Sequence, residues 1–448
     1  MSTLMVSVSG IRGLVGDGLD PNTIVKYTSA YADFCGFGKI VVGSDGRISG
    51  NMVKHILIGT LLAKGNDVID IGICPTPTVL YNVTKLGAVG GIQISASHNP
   101  NEWNALKLLN SKGEFMTPEE NKIMLDKLET SNNYKKWNEL GNLTLYDEGL
   151  QNHIKNVLKL VDVDLIKSKK FRVVLDCVNG AGSYVMPQFL KDLGCEVIKL
   201  NCGKTGIFPR LPEPIPGNLI ETMKFVKEQN ADLAIVVDPD VDRLVLITDK
   251  GEPFIEENTI TLATKHILSK VKGNVVVNLS TSRSVEDVAS AEGCKVFRAP
   301  VGEANVVKLM KEVNAVIGGE GSGGVIYPEL HYGRDALVGT VLTLEHLAQQ
   351  NKKLSQIKDE LPKYFIAKKK IELGNVNPDK IVEQIKEKYR NEKINTDDGL
   401  RIDFESHWVH FRKSNTEPII RCIAEAKTEE EANLFIDKYF GEIKELMK

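Results

Sequence analysis

Short apolar runs that end in glycine-rich or polar turns recur along the chain, and sequence with helical periodicity follows each. The runs are continuously apolar rather than alternating, which is typical of strands covered on both faces in α/β layers. The stretches between them, such as 120–130 and 154–161, have the pattern of amphipathic helices. Open α/β sheets bind ligands at the carboxyl ends of their strands, so the site is expected at the turns. The strand–turn segments are 39–47, 90–100, 171–183, 232–243, 273–282 and 314–324.

The C-terminal part of the chain has a different pattern. Residues 401–412 and 418–427 alternate between apolar and polar, as half-exposed antiparallel strands do, and a closing helix is predicted at 429–447. Polar breaks divide the rest into three α/β units. The predicted domains are α/β domain I at 1–148, α/β domain II at 149–252, α/β domain III at 253–366 and a C-terminal α+β domain IV at 367–448.

Composition narrows the choice of partner. A chain of 448 residues is too long for one hydrophobic core, and its 42% hydrophobic and 26% charged residues are ordinary for globular proteins. A formal net charge of -3 offers no basic surface for nucleic acid, so we expect a small-molecule partner. The sequence has neither a signal-peptide pattern nor the run of about 18 apolar residues that a membrane span needs. The seven scattered cysteines indicate reduced thiols and a cytoplasmic protein.

Three carboxylates spaced two residues apart follow an apolar run. A tight turn can bring Asp238, Asp240 and Asp242 together, where their repulsion requires a hard cation, and oxygen ligands suit Mg²⁺. Arg243 adds a cation suited to a phosphate. An EF-hand has similar spacing, but it needs glycine where Arg243 stands and a helix before it. A solvated acidic turn, and a site in which Asp238 itself attacks phosphorus, stay open as alternatives.

A serine stands in a turn after another predicted strand. Ser97 is followed by His98 and by an Asn–Pro pair, which favours a turn over a helix. Lys107 can return to the same pocket as a proton donor or acceptor if burial or neighbouring cations lower its pKa. We include His98 among the catalytic candidates, although a histidine there also suits packing. The G-x-S-x-G pattern of serine hydrolases is missing, and a turn-capping serine is the structural alternative.

Two further turns carry groups of the kind that bind phosphate and sugar. In segment 318–324, Glu320 and Ser322 stand among glycines, and a carboxylate beside a hydroxyl suits adjacent sugar hydroxyls. Near the C-terminus, arginines flank a turn whose hydroxyls, amide and N–H groups can hold a phosphate. The candidates there are Arg412, Ser414, Asn415, Thr416 and Arg421. A mobile glycine turn and an ordinary hairpin turn are the respective alternatives.

The N-terminal region contains two weaker motifs. Arg12 is a candidate phosphate contact, whereas Asp45 and Arg47 fit a structural ion pair better than a binding site. Neither a G-x-G-x-x-G fingerprint nor a GxxxxGK[ST] loop occurs, which argues against a nicotinamide enzyme and a P-loop kinase.

Taken in order, four motifs resemble those of the α-D-phosphohexomutase superfamily, which includes phosphoglucomutase/phosphomannomutase and phosphoglucosamine mutase. SASHNP is similar to its phosphoserine loop, DPDVDR to its metal loop, GEGSGG to its sugar-recognition loop and RKSNTEP to its phosphate-binding loop. The resemblance covers essentially the whole chain. It implies three related α/β domains and a C-terminal domain of another fold around a central cleft.

The resemblance also implies a role for each matching residue. Ser97 corresponds to the phosphoserine, Lys107 to the general acid/base, Arg243 to a residue beside the phosphoryl group and Arg12 to the arginine of an N-terminal motif. The implied Mg²⁺ ligands are Ser97, Asp238, Asp240 and Asp242. Glu320 and Ser322 are implied to hold sugar hydroxyls. The residues implied to hold the non-transferred phosphate are Arg412, Ser414, Asn415 and Thr416.

Four positions depart from the family pattern. Pro239 and Ala105 replace glycines, Gly324 replaces the histidine that commonly ends the sugar loop, and Glu303 lies near another position often occupied by histidine. The last two bear on which sugar is bound. The sequence ISASHNP resembles that of phosphoglucosamine mutases more than that of other members, so we expect glucosamine phosphate to be preferred over glucose or mannose phosphate as substrate.

The expected reaction interconverts hexose 6-phosphate and hexose 1-phosphate through phospho-Ser97 and a 1,6-bisphosphate that turns over in the cleft. The expected cofactors are Mg²⁺ and a hexose 1,6-bisphosphate activator. The expected partner is a hexose phosphate, not nucleic acid or a membrane, and a homodimer stays open. The competing hypotheses are a sugar phosphatase with an aspartate nucleophile and a sugar-phosphate-binding protein without turnover.

Overall fold

The computed structural model describes residues 2–8, 10–374, 376–413 and 419–447, and within these ranges the strands form four sheets. We number them I to IV in chain order. Sheets I to III mix parallel and antiparallel strands, whereas sheet IV is antiparallel throughout. The predicted architecture, three α/β units followed by an α+β unit, is confirmed.

Sheet I has the strand order β1-β2-β6-β5-β3-β4-β7. Its elements are β1 (Met5–Ser7), β2 (Gly10–Leu14), α1 (Pro21–Cys35), β3 (Lys39–Ser44), α2 (Gly50–Ala63), β4 (Asp67–Ile73), α3 (Thr76–Lys85), β5 (Gly90–Ile94), β6 (Trp103–Leu109), α4 (Pro118–Leu125) and β7 (Leu143–Leu145). Helix α4 ends before the predicted residue 130, because the backbone bonds of the next residues span three positions instead of four.

Sheet II has the order β11-β10-β8-β9 and sheet III the order β13-β12-β14-β15. The elements around sheet II are α5 (Gly149–Leu158), α6 (Val163–Lys169), β8 (Arg172–Asp176), α7 (Gly182–Asp192), β9 (Glu196–Leu200), α8 (Ile220–Glu228), β10 (Leu233–Val237) and β11 (Leu244–Thr248). Those around sheet III are α9 (Glu256–Lys270), β12 (Asn274–Asn278), α10 (Ser284–Ala291), β13 (Val296–Ala299), α11 (Glu303–Glu312), β14 (Ala315–Glu320), β15 (Gly324–Ile326), α12 (Ala336–Gln350) and α13 (Leu354–Glu360).

Sheet IV has the order β16-β20-β19-β18-β17. Its elements are β16 (Phe365–Glu372), α14 (Pro378–Lys388), β17 (Lys393–Asn395), β18 (Leu400–Asp403), β19 (Trp408–Lys413), β20 (Ile419–Ala426) and α15 (Glu429–Leu446). This packing explains the alternating pattern. One face of the sheet, with Phe411 and Cys422, forms an apolar core with α15. The opposite face packs against the sheet III unit, where His410 contacts Ser280. Helix α15 begins with a capping box between Thr428 and Glu431.

The central strands of sheets I to III are buried on both faces. In β3, Ile40 and Val42 belong to one apolar core and Val41 to another, so neighbouring residues enter opposite layers. The same division separates Val276 from Val275 in β12. Strands covered on both faces must be apolar at consecutive positions, which explains their continuous apolar runs. One apolar core runs through sheets II and III.

The first three sheets share one local topology, and it positions the site. In each, a parallel strand is followed by an antiparallel neighbour, in the pairs β5–β6, β10–β11 and β14–β15. The three reversals contain the predicted serine, acidic and sugar turns, at 95–102, 238–243 and 321–323. Within the described ranges, no helix is long and apolar enough to cross a membrane.

Candidate active site

The serine turn is held rigidly by a buried arginine. Ser97 has a φ of 49°, and its backbone N–H donates to Ser95 Oγ at 2.9 Å. Arg47 pairs with Asp45 at 2.9 Å, which confirms the predicted ion pair. The Arg47 guanidinium also donates, at 2.6–3.0 Å, to backbone carbonyls of the turn and the strand after it, those of Ser97, Asn99, Pro100 and Trp103. This network places the Ser97 hydroxyl at the end of β5.

The acidic turn meets the serine turn directly. Asp238, Asp240 and Asp242 are buried, and one carboxylate oxygen from each lies within 4.8 Å of the others. The backbone N–H groups of Asp242 and Arg243 both donate to Asp238 Oδ1 at 3.2 Å, which folds the turn inward. Ser97 Oγ donates to Asp238 Oδ2 at 3.0 Å. The hydroxyl from sheet I and the carboxylates from sheet II therefore converge on one point.

The three carboxylates fit a divalent cation. Asp240 Oδ1 and Asp242 Oδ1 are buried and accept no hydrogen bond among the described residues. Burial and the charges of the other two aspartates hold the pKa of Asp238 well above its usual range. A cluster of hard oxygen atoms with unused lone pairs matches the ligand preference of Mg²⁺.

Lys107 occupies the edge of this cluster. Its Nζ lies 2.5 Å from Asp240 Oδ2 and 3.5 Å from Asp242 Oδ2, and the Thr76 hydroxyl also donates to Asp240. Burial acts to lower the pKa of Lys107, but the charges of Asp240 and Asp242 outweigh burial and raise it. The condition that the sequence analysis attached to proton transfer by Lys107, a lowered pKa, is therefore not met in this state. The reason is the contact with two carboxylates, which sequence spacing does not reveal.

Three more predicted residues lie on or beside the serine and acidic turns. His98 Nδ1 lies 3.4 Å from Ser97 Oγ, and burial together with the nearby cationic groups holds its pKa far below the usual range, so the imidazole is neutral. Arg12 donates to Asn99 at 2.6 Å. Arg243 lies 3.9 Å from Asp242. His98 is part of the serine turn and Arg12 contacts it, whereas Arg243 belongs to the acidic turn and acts on His98 through its charge.

The sugar turn is tied to the acidic turn by a residue that the sequence analysis missed. The Arg334 guanidinium donates to Asp242 at 2.7 Å, to Glu303 at 2.9 Å and to Glu320 at 2.6 Å. Glu320 also accepts from Asn278 and from a backbone N–H. An arginine in the segment HYGRD has no recognisable motif, so only the fold reveals this role.

The wall opposite the serine is basic. Lys370, Arg421 and Arg412 are cross-strand neighbours on β16, β20 and β19, and cross-strand neighbours share one face of a sheet. Arg412 pairs with Asp398 at 2.9 Å. Lys370 was also missed from the sequence, because its position beside Arg421 depends on strand pairing. The predicted residues Ser414, Asn415 and Thr416 lie outside the described residues.

One cleft joins these groups. It has a volume of about 1210 Å³ and lies between the serine turn, the sugar turn and the basic face of sheet IV. The predicted residues that line it are Arg12, Ser97, His98, Lys107, Arg243, Glu320, Ser322, Arg412 and Arg421. The acidic cluster reaches the cleft through its contacts with Ser97 and Lys107. The site therefore has cations on two walls and carboxylates at its base, an arrangement suited to a ligand with more than one phosphate.

Comparison with known proteins gives consistent matches along the whole chain. Models of phosphoglucomutase/phosphomannomutase match at 4–135 for alpha/beta/alpha domain I, 151–251 for domain II, 256–365 for domain III and 370–440 for the C-terminal domain.

Individual relatives match at full length. The chain is 38% identical to the phosphoglucomutase/phosphomannomutase of Thermococcus kodakarensis, over 98% of each chain. It is 34% identical to a protein of Methanopyrus kandleri named "Probable phosphoglucosamine mutase", over 96% of each chain. Its fold is similar to the crystal structure of a phosphoglucomutase/phosphomannomutase family protein from Burkholderia thailandensis, with a TM-score of 0.85, 23% identity and coverage of 98% of both chains.

Proposed function

This chain belongs to the phosphoglucomutase/phosphomannomutase family, and on that premise we propose that it interconverts hexose 6-phosphate and hexose 1-phosphate by way of a phosphorylated Ser97. The observation that carries the proposal is the contact between Ser97 Oγ and Asp238 at 3.0 Å, at the base of a cleft with a second basic wall. A phosphatase needs to bind one phosphate. A mutase holds a bisphosphate, and two basic regions suit that requirement.

In the proposed reaction, an oxygen of the sugar attacks the phosphorus of phospho-Ser97, and the bond from phosphorus to Oγ breaks. The resulting hexose 1,6-bisphosphate turns over, and its other phosphate returns a phosphoryl group to Oγ. The raised pKa keeps Lys107 protonated in this state, so it is placed to donate a proton to the sugar oxygen that leaves and, once deprotonated, to accept the proton of the attacking hydroxyl. Arg12 and Arg243 stabilise charge on the transferring group. A hexose 1,6-bisphosphate would activate the enzyme by phosphorylating Ser97.

The residues that would hold Mg²⁺ are Ser97, Asp238, Asp240 and Asp242. When bound, the ion would neutralise carboxylate and phosphoryl charge during transfer. Arg412 and Arg421 would hold the phosphate that is not transferred. Glu320 and Ser322 would hold sugar hydroxyls. We propose glucosamine phosphate as the preferred substrate, ahead of glucose and mannose phosphates, as the name of the Methanopyrus kandleri relative suggests.

The test is to trap the phosphoenzyme with glucose 1,6-bisphosphate, locate the phosphate by peptide mass spectrometry and measure isomerisation in a coupled assay. The wild type should carry the phosphate on Ser97, and Ser97→Ala should lose both the phosphate and more than about 10³-fold of kcat/KM. Ser168→Ala, which changes an exposed serine of α6 that does not line the cleft, is the matched control. An aspartate-nucleophile phosphatase gives the reverse result: Asp238→Asn loses the covalent phosphate and Ser97→Ala keeps it. Tight binding without turnover would reject both enzymes.

A further inference from the structure

Glu303 is a buried carboxylate on the cleft wall with one oxygen unused. It begins helix α11 and is only 8% exposed. Its Oε2 accepts from Arg334 Nε at 2.9 Å, whereas Oε1 is buried and accepts no hydrogen bond among the described residues. Glu320, beside it, has both oxygens engaged. An unsatisfied buried oxygen is costly, and its retention in a binding cleft points to a ligand as the partner.

The charges around Glu303 Oε1 indicate which kind of ligand group it would bind. Glu303 and Glu320 share the single guanidinium of Arg334, so the two carboxylates are only half neutralised. Arg334 also pairs with Asp242, which draws part of its charge toward the acidic turn. Lys107 is the other cation that acts on Glu303, but burial and the charges of Asp242 and Glu320 outweigh both cations and raise the pKa of Glu303 to about 8. The carboxylate therefore lacks compensating positive charge, which a cationic ligand would supply. The sugar-turn wall therefore favours a cationic group, in contrast to the basic wall of sheet IV.

Gly324 makes this arrangement possible. A β-carbon at position 324 would lie 2.3 Å from Arg334 Cδ and 2.9 Å from its Cγ. Any side chain there would displace Arg334, and Arg334 in turn fixes the Glu303 carboxylate. Gly324 therefore leaves room for Arg334, which positions Glu303. The Arg334 side chain fills the space that a side chain at position 324 would otherwise occupy.

We propose that Glu303 determines substrate specificity by accepting a hydrogen bond from the protonated amino group of a hexosamine phosphate through Oε1. The inference rests on the proposed mutase function and deepens it, because it names the residue that distinguishes an amino sugar from a neutral one. An ammonium supplies the charge that the wall lacks, and a charge-assisted hydrogen bond is roughly twice as strong as one from a neutral hydroxyl.

The experiment compares kcat/KM for glucosamine, glucose and mannose 6-phosphates in the wild type and in Glu303→Gln, which has nearly the same shape. The wild type should prefer glucosamine 6-phosphate, and the variant should lose at least about tenfold on that substrate and less than about threefold on the other two. Kd values from calorimetry without Mg²⁺ should change in the same ratio. Glu312→Gln, at the other end of α11, is the matched control and should change neither.

Each outcome decides the inference. Equal losses on all three sugars, or a wild type without preference for the amino sugar, would overturn it while leaving the mutase function intact. Turnover of none of the sugars would reject the proposed function and the inference together. If Glu303→Gln does not fold, as judged by circular dichroism, Glu303→Asp replaces it. Aspartate keeps the negative charge, but its side chain is one methylene shorter, so its carboxylate lies farther from the sugar. An unchanged sugar preference would again overturn the inference.

Discussion

Replacing the buried Arg47 by methionine should destabilise the protein more than replacing an exposed arginine by methionine. Its guanidinium is buried, pairs with Asp45 at 2.9 Å and donates four more hydrogen bonds to backbone carbonyls. It also lies 4.7 Å from the ring centre of Phe208, which comes from the sheet II unit. Removing it leaves Asp45 buried without a counterion.

The size of the effect follows from this environment. Breaking a buried ion pair by removing one partner costs about 3–5 kcal/mol, because a charge is left uncompensated. At about 2–4 °C per kcal/mol for a cooperative unit of 150–250 residues, the Tm of Arg47→Met should fall by roughly 6–20 °C. The matched control, Arg390→Met, replaces an exposed arginine paired with Glu387 and should lose less than about 1 kcal/mol.

The double variant Asp45→Asn/Arg47→Met tests the cause. It removes both charges, so it should recover part of the stability lost in Arg47→Met. The assays are thermal unfolding by calorimetry and phosphorylation of Ser97 by glucose 1,6-bisphosphate, which should slow in the single variant because the turn loosens. A single variant as stable as Arg390→Met, or a double variant worse than the single one, would refute the reasoning.

Three further predictions concern the metal, the pH dependence and the basic wall. Mg²⁺ at 100 times its Kd should raise the free energy of unfolding by about 2.7 kcal/mol, and therefore the Tm. Asp240→Asn should remove most of this rise in Tm. An equal rise in the variant would contradict the proposed ligand set. Burial raises the pKa of Glu257 to about 8, so its contribution to stability is present below about pH 4.5 and is lost as pH rises through 8. Glu257→Gln should therefore gain Tm relative to the wild type between pH 5 and pH 8, and a constant difference would argue against this titration. Lys370→Ala should raise KM for hexose phosphate by roughly three- to tenfold with little change in kcat, because a charged phosphate contact is lost. Lys386→Ala, which removes an exposed lysine of α14 paired with Glu383, is its control, and equal KM values for the two variants would place Lys370 outside the phosphate site.

The parts of the fold that depend on local pattern were predictable from the sequence. Continuous apolar runs marked β3, β5, β10, β12 and β14, because strands buried on both faces leave little room for polar residues. The acidic cluster at Asp238, Asp240 and Asp242 was recognisable because its three carboxylates come from one turn. Its partner Ser97 was found because a motif of its own surrounds it.

Contacts between distant segments were predictable only where the family resemblance implied them, as it did for Ser97 and the three aspartates. Arg334 reaches three carboxylates that lie 14, 31 and 92 positions away, and nothing near it in the sequence marks that role. The raised pKa of Lys107 likewise depends on its distance from Asp240, which the packing of sheet I against sheet II decides. Glu303 was noted only as a departure from a pattern, because an unused hydrogen-bonding atom is visible only in three dimensions.

The three equivalent reversals differ in length, with 95–102 the longest and 321–323 the shortest. Each extended residue spans at most about 3.3–3.6 Å, so the number of residues in a turn sets how far its side chains extend beyond the sheet. The serine turn must cross from one unit to another, and deleting a single residue could withdraw its hydroxyl by more than the 3.0 Å that now separates it from Asp238. Variation in this protein should therefore accumulate as substitutions inside the turns, while insertions and deletions are confined to the far ends of the sheets.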